Sequence, residues 1–260
     1  MIKRLLSIIG AYKFYEKWLW HQVKNDVKPE HIAIILDGNR RWATEKALNP
    51  WRGHEKGAEK VNQLLDWCLK LDVKSITLYG FSTENFSRPK NEIEEIMRIA
   101  ESQFRKIITD ERIHKNKVRV KVIGRVSLLP DDLQKLIRDV EKSTQSYDKH
   151  FLNIAFAYGG RAEIVDAVRK IANKIREGEL TPEVVDEKLF EKYLYTSHMP
   201  KQDPDLIIRT SGEERLSGFL LWQAAYSEFC FLDAFWPDFR VIDLLRVVRT
   251  FQRRKRRFGA

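Results

Sequence analysis

Three features of the sequence predict an α/β fold: a single domain with a mainly parallel central sheet of about six strands, flanked by helices. Short β-branched runs alternate with longer segments of helical period. No repeat, low-complexity tract or Gly/Ser-rich linker breaks the chain. Glycines, acids, amides and arginines come after one strand candidate after another, as they do where an open parallel sheet presents a ligand site at its carboxyl end. The 260 residues are 43% hydrophobic, enough for one sizeable core, so residues 1–25 are read as an N-terminal helix and 26–260 as one domain.

Taken in order, residues 1–25 pattern as an amphipathic helix, aromatic on one side and basic on the other. Lys3, Arg4, Lys13, Glu16, Lys17 and Lys24 interrupt its apolar run too often for a membrane span, and no small-residue cleavage site comes after it. Two readings stay open for it: packing on its own domain, or contact with a membrane surface. Strands are expected at 31–36, 73–79, 118–123, 151–157, 205–209 and 228–232. Helices are expected near 54–70, 92–112, 131–147, 161–177, 183–194 and 240–257. The formal net charge of +10 calls for an anionic partner; nucleic acid, acidic lipid and a diphosphate all qualify. Cys68 and Cys230 are far apart and outside metal-ligand spacing, which points to a reducing, cytoplasmic setting.

The segment after the first strand carries the strongest chemical signal. In Asp37-Gly38-Asn39-Arg40-Arg41-Trp42 a strand ends in a carboxylate, a glycine turn comes next and a helix begins. Backbone N–H groups at such a helix start cradle phosphate oxygens, and Arg41 can add paired hydrogen bonds. A carboxylate beside a phosphate implies a bridging divalent cation. The plain alternative is an aspartate capping an ordinary helix, with Gly38 as its turn residue. The other strands lead into further polar stretches: Gly80–Pro89, Gly124-Arg125, Tyr158–Arg161 and Arg209–Glu213.

Five separated blocks occur in one order: DGNRRWA (37–43) with Gly53-His54 and Gly57; FSTENFSRP (81–89); NIAFAYGGR (153–161); DLIIRTSGEERLSGFLLWQAAYSEF (205–229); and WPDF (236–239) with RRFG (256–259). Together they resemble the cis-prenyltransferase family of undecaprenyl diphosphate synthases and their dolichol-pathway relatives, from about residue 30 to the end. The resemblance implies a cytoplasmic, Mg²⁺-dependent isoprenyl transferase. Such an enzyme condenses isopentenyl diphosphate onto an allylic diphosphate primer, farnesyl or geranylgeranyl diphosphate, to make a long polycis product of undecaprenyl type.

The same resemblance implies roles. Asp37 would be the essential aspartate and Glu228 the carboxylate completing the Mg²⁺ site. Gly38, Asn39, Arg40, Arg41 and Trp42 would line the allylic diphosphate site, with His54 near the reacting ends. Ser82, Glu84, Asn85, Phe86 and Arg88 would form a loop closing over substrate, with Glu92 just beyond it. Arg209, Arg215 and Ser217 would bind isopentenyl diphosphate, with Glu213 nearby. Asp37, Asn85 and His54 are thus the catalytic candidates. Glu228 opens the last strand candidate instead of coming after one, which sits awkwardly with a site at the carboxyl ends.

Two departures from the family pattern stand out. Pro50 occupies a position often held by arginine, with Arg52 as a candidate replacement, and Phe86 stands where the loop often has Trp. The stripe Ile93, Ile96, Met97, Ala100, Phe104, Ile107 and Ile108 reads as core by itself; the resemblance adds one wall of an apolar product tunnel. A homodimer is also implied, with Arg257-Phe258-Gly259 completing the neighbouring subunit's site. Acidic residues among the basic loops, and the lack of a recognition module, argue against a nucleic-acid partner. Asp131-Asp132 is followed by Leu, Gln and Lys, so the Asp-rich motif of trans-prenyltransferases is missing. A non-catalytic partner subunit is disfavoured because Asp37, Asn39, Ser82, Glu84 and Asn85 are all present.

Overall fold

The structure, a computed structural model, describes residues 10–254. Six strands form one sheet in the order β3-β4-β2-β1-β5-β6, and every pairing in it is parallel. The strands are β1 (His31–Ile35), β2 (Ser75–Ser82), β3 (Val118–Ile123), β4 (His150–Tyr158), β5 (Leu206–Arg209) and β6 (Glu228–Phe231). The helices are α1 (Ala11–Lys24), α2 (Asn39–Glu45), α3 (Pro50–Leu71), α4 (Lys90–Thr109), α5 (Glu111–Lys115), α6 (Asp131–Thr144), α7 (Gly160–Arg176), α8 (Glu187–Glu191) and α9 (Val241–Arg253).

Strand β1 is buried along its whole length, as a central parallel strand must be when both faces are covered. Its alternate residues go to two cores: Ile32 and Ile34 join the larger one, with Leu64 of α3, Ile96 of α4, Leu133 of α6 and Leu244 of α9. Ala33 and Ile35 face a smaller core holding Phe219, Leu220 and Ala224. The period-2 alternation of strand side chains thus decides which helices each residue meets.

Three expectations change in detail. The long helix near 92–112 is two helices, because Asp110 is extended (φ −73°, ψ 108°) and its side chain accepts the Arg112 N–H, capping α5. The helix near 183–194 shrinks to α8, where Asp186 caps the Leu189 N–H after a short 3₁₀ turn at Pro182–Val184. Strand β2 runs on through Gly80 to Ser82, with register shifts against β4 on either side of Phe81. Bulges of this kind re-aim side chains next to sites, and this one lies where the polar loop begins. Of the N-terminal helix, Ala11–Lys24 lies within the described residues and packs on α9 with Leu19 and Val23 fully buried. Residues 1–9 and the segment Arg257–Gly259 lie outside the described residues.

Candidate active site

Strand β1 delivers Asp37 to the carboxyl end of the sheet, and Gly38 turns the chain into α2. Gly38 has φ +95°, and a Cβ there would come within 2.5 Å of the Phe235 ring and 2.9 Å of the Ser211 Cβ. Only glycine fits that turn. Two further glycines let α3 pack against the start of α2: a Cβ at Gly57 would lie 2.4 Å from Asn39 Oδ1, and one at Gly53 would lie 2.0 Å from the Asn39 carbonyl oxygen. Asn39 is held there by donating its Nδ2 to the Leu36 carbonyl at 3.1 Å. Its buried Oδ1 has no hydrogen-bond partner among the described residues.

Around Asp37 the arginines converge. Arg209 donates through Nη2 to Asp37 Oδ2 at 2.8 Å and through Nη1 to Ser217 Oγ at 2.9 Å, and its Nη1 also meets the Arg215 carbonyl. Arg41 donates to Ser211 Oγ at 2.6 Å and lies 3.5 Å from Glu213, which also pairs with Arg215. Burial pushes the Asp37 carboxyl up, but the hydrogen bonds and charge of Arg209, with Ser211 and the Gly38 N–H, outweigh it and hold it below the usual carboxylate value. Asp37 is therefore an anion at neutral pH.

A second acid organises the opposite wall. Glu92, only 6% exposed, accepts from Arg88 Nη1 at 3.1 Å and faces His54 Nε2 at 3.4 Å and Arg40 Nε at 3.7 Å. His54 is the fifth residue of α3. Burial and the nearby Arg88 charge lower its pKa against the pull of Glu92, so the imidazole is neutral near pH 7. The loop after β2 is a 3₁₀ turn, Thr83–Ser87, in which Asn85 Oδ1 accepts the Ser82 N–H at 3.0 Å.

These residues form an open polar cleft lined by Asp37, Asn39, Arg40, Arg41, Arg88 and Arg209, among others. Next to it lies an apolar cavity between the sheet, α3 and α4. Leu36, Asn39, His54 and Gly80 line both, so the polar cleft and the apolar cavity adjoin at those four residues. Ile96, Ala100, Phe104 and Ile107, expected from the helical stripe, line the cavity. Met97 and Ile93 face a surface groove beside α6 instead.

Most of the expected residues meet here, but not all. Gly38, Asn39, Arg40, Arg41, His54, Ser82, Asn85, Arg88, Arg209 and Ser217 line the cleft. Arg215 stands at its margin, on Glu213. Trp42 is 9% exposed and turned inward, with Lys46 over its ring at 5.0 Å, so it supports α2 from behind. Phe86 packs edge-on against Phe81, with ring centres 4.9 Å apart, and Glu84 lies exposed on the turn's outer side. Arg52 pairs with Glu55 on the surface at 2.9 Å, and Pro50 opens α3, so the missing arginine is not replaced from there.

Glu228 is a correction. Its register partner is Leu206, which pairs with Ile32, so it lies at the amino end of the sheet. That is roughly 15 Å down the strands from Asp37 and two strands across. It pairs with Arg254 at 3.1 Å. Within one chain, Asp37 and Glu228 cannot hold one ion. Among the described residues no three His, Cys, Asp or Glu side chains converge as a metal site. Asp37 still fits Mg²⁺, which is commonly held by one or two carboxylates plus substrate phosphates and water.

Sequence reasoning missed Tyr79, whose hydroxyl donates to the Ser217 carbonyl at 3.3 Å and whose ring stacks on Phe219 with centres 4.6 Å apart. Its place as the last residue before Gly80 was the available signal. Glu163 was missed too. It is 1% exposed and accepts from Tyr158 at 2.5 Å, the Tyr195 N–H at 2.8 Å and Gln223 at 3.1 Å. Nothing in a lone acid in a helix's first turn announces that role.

Residues 35–259 match the prenyltransferase family model for undecaprenyl diphosphate synthases. The tritrans,polycis-undecaprenyl-diphosphate synthase (geranylgeranyl-diphosphate specific) of Methanopyrus kandleri is 52% identical over 254 residues, which cover 98% of this chain and 93% of that one. A protein of the same description from Pyrococcus horikoshii is 49% identical over 265 residues, covering 100% of each. Among solved structures, lavandulyl diphosphate synthase from Lavandula x intermedia, in complex with dimethylallyl diphosphate, superposes with a TM-score of 0.84 at 37% identity, over 90% of this chain and 99% of that one.

Proposed function

Because this chain belongs to the undecaprenyl diphosphate synthase family of prenyltransferases, we propose that it elongates geranylgeranyl diphosphate with isopentenyl diphosphate units, adding cis double bonds until the product reaches about undecaprenyl length. One observation carries the reading: a cleft of arginines and one aspartate adjoins, at Leu36, Asn39, His54 and Gly80, a cavity lined mainly by apolar side chains. A molecule charged at one end and apolar along its length suits the pair. The choice of geranylgeranyl over farnesyl primer rests on the names of the relatives. The product is then a membrane lipid precursor suited to carrying sugars.

The chemistry derives from the residues. The primer's C1–oxygen bond breaks and its diphosphate leaves with the bonding electrons, so stabilising negative charge there lowers the barrier. The N–H groups at the start of α2, with Arg40 and Arg41, hold that diphosphate. Arg209, Arg215 and Ser217 hold the second diphosphate and aim its double bond at the primer's C1. A carbon–carbon bond then forms, and loss of a proton from the isopentenyl C2 leaves the new double bond. Neutral His54 is the protein group we assign to take that proton; Glu92 then faces the imidazolium. Asp37 would hold Mg²⁺, which would supply further charge neutralisation.

Labelled isopentenyl diphosphate, offered with geranylgeranyl or farnesyl diphosphate in the presence and absence of Mg²⁺, tests this directly. Chromatography should show a ladder ending near eleven isoprene units, faster with the longer primer and lost with chelator. A single condensation, or all-trans products, would overturn the reading.

A further inference from the structure

We propose that the outer face formed by α1 and α9 docks on an anionic lipid surface. The inward side of α1 is accounted for by packing: Leu19 and Val23 are fully buried, and Tyr12, Tyr15 and Trp20 lie against the core. Its outward side is not. Phe14 is 75% exposed and Trp18, one turn on, is 40% exposed. Packing of the described chain engages Trp18 through Tyr15 and Arg249 and leaves Phe14 standing into solvent, where an amphipathic helix with one apolar face needs no large aromatic.

The charges around them give the occupant its chemistry. Arg240, Arg246 and Arg249 of the α9 face lie over Tyr12, Tyr15 and Trp18 at 5.7, 5.8 and 5.0 Å, and Tyr15 stacks on Trp18 at 5.7 Å. This ladder fixes Trp18 beside guanidinium groups, whose α9 neighbour Arg246 is solvent-exposed. Lys13 and Lys17 flank Phe14 and Trp18 and are also exposed. The one acid of α1 is Glu16, and Asp243 of α9 is taken up by Arg240 at 2.9 Å. Aromatic side chains amid lysines and arginines, with almost no opposing charge, suit the headgroup layer of an anionic membrane. Protein interfaces are depleted in lysine, whereas exposed Lys13 and Lys17 flank the aromatics here. No described helix is long and apolar enough to cross a membrane, so the contact is interfacial.

The proposal goes beyond the prenyl-transfer reading, and its test needs no turnover. The full chain is floated with vesicles of phosphatidylcholine alone or containing about one-third phosphatidylglycerol. Binding should require the anionic lipid and weaken with salt. Phe14→Ser/Trp18→Ser and Lys13→Gln/Lys17→Gln should each lower partitioning about tenfold or more, since each basic residue near the surface contributes roughly fivefold. Circular dichroism, and prenyl transfer measured without vesicles, should match wild type in both variants. Equal binding to neutral vesicles, or undiminished binding by both variants, overturns the proposal. So does loss of binding on removing only residues 1–9, because the lipid contact would then lie in that segment. A change in sedimentation mass of Phe14→Ser/Trp18→Ser would likewise overturn it, by assigning the face to a second copy of the chain.

Discussion

Asp37 and Arg209 depend on each other, and their interdependence shapes what substitution does. Asp37→Ala removes the carboxylate assigned to the metal and leaves the buried guanidinium of Arg209 with only Ser217 and the Arg215 carbonyl. Turnover should fall about a hundred- to a thousandfold, the usual loss for one electrostatic element of a site. Uncompensated burial of Arg209 should also cost about 1–3 kcal/mol. Asp37→Asn keeps the acceptor and should lose turnover with little change in melting temperature. Retention of activity by the Asn variant would remove Asp37 from the chemistry. Glu163 acts further back. It ties Tyr158 to Gln223, Tyr158 packs edge-on against Phe219 at 6.2 Å, and the loop between them contains Ser217 and Leu220 at φ 49° and 45°. Non-glycine residues in that conformation persist only where surroundings hold them. Glu163→Ala should therefore raise KM for isopentenyl diphosphate about tenfold or more, while kcat and primer KM change little, with partial rescue in Glu163→Gln. Steady-state kinetics in which only kcat falls would place Glu163 elsewhere in the mechanism.

Helix α4 shows how one element serves both chambers. Glu92 in its first turn holds Arg88 and His54, and Ile96, Ala100, Phe104 and Ile107 line the cavity wall one turn after another. The stripe is visible in the sequence as period alone. That it faces a cavity and not solid core is not visible there, because the same period describes both. Ala100→Phe should fill part of the cavity and shorten the products, with the first condensation kept near wild type. Chromatography showing an unchanged ladder would mean that the chain grows elsewhere. The short α8 and the break at Asp110 escape the periodic pattern for another reason: a single aspartate taking a backbone N–H can end or restart a helix against its period.

Two properties belong to the molecule as a whole. Burial lowers the pKa of His31 to about 4, with Asp205 opposing, and it lies fully buried with Nε2 at 2.8 Å from Thr77 Oγ1. His198, bonded to Asn153 at 2.8 Å, is likewise lowered to about 4 by burial and the charges of Lys121 and Arg119. Both are neutral in the fold and protonate in the unfolded chain near pH 6.5, so stability is full above that pH and is lost as pH falls toward 4. At pH 5 the His31 contribution should be down by on the order of 2 kcal/mol. Urea midpoints at pH 7, 6 and 5 check this: the decline should be shallower in His31→Gln, and a pH-independent midpoint in wild type would remove the premise. The second property is assembly. Among the described residues strand β6 pairs only with β5, and Phe229, Cys230 and Phe231 on it are half-buried, so an apolar edge is left to cover. We expect a homodimer, and sedimentation equilibrium at micromolar protein should return twice the chain mass of 30.8 kDa.

The sequence by itself determined the parallel α/β class, the strand after which chemistry begins, and the set of arginines, amides and acids that come after strands. Those are local properties: β-branched runs, glycine at a left-handed turn, and polar residues past a strand's end are each written in a few consecutive residues. Only the tertiary structure decided which of them meet. Glu228 falls at the amino end of the sheet because β6 runs parallel to β5, a matter of strand direction that no motif encodes. Trp42 turns inward and Tyr79 lines the cleft because helix phase and strand register set each side chain's direction. Glu163 reaches Gln223, sixty residues on, through packing alone. Proximity across such separations depends on how whole elements stack, and stacking is settled by the summed burial of the core and not by any residue the site itself uses.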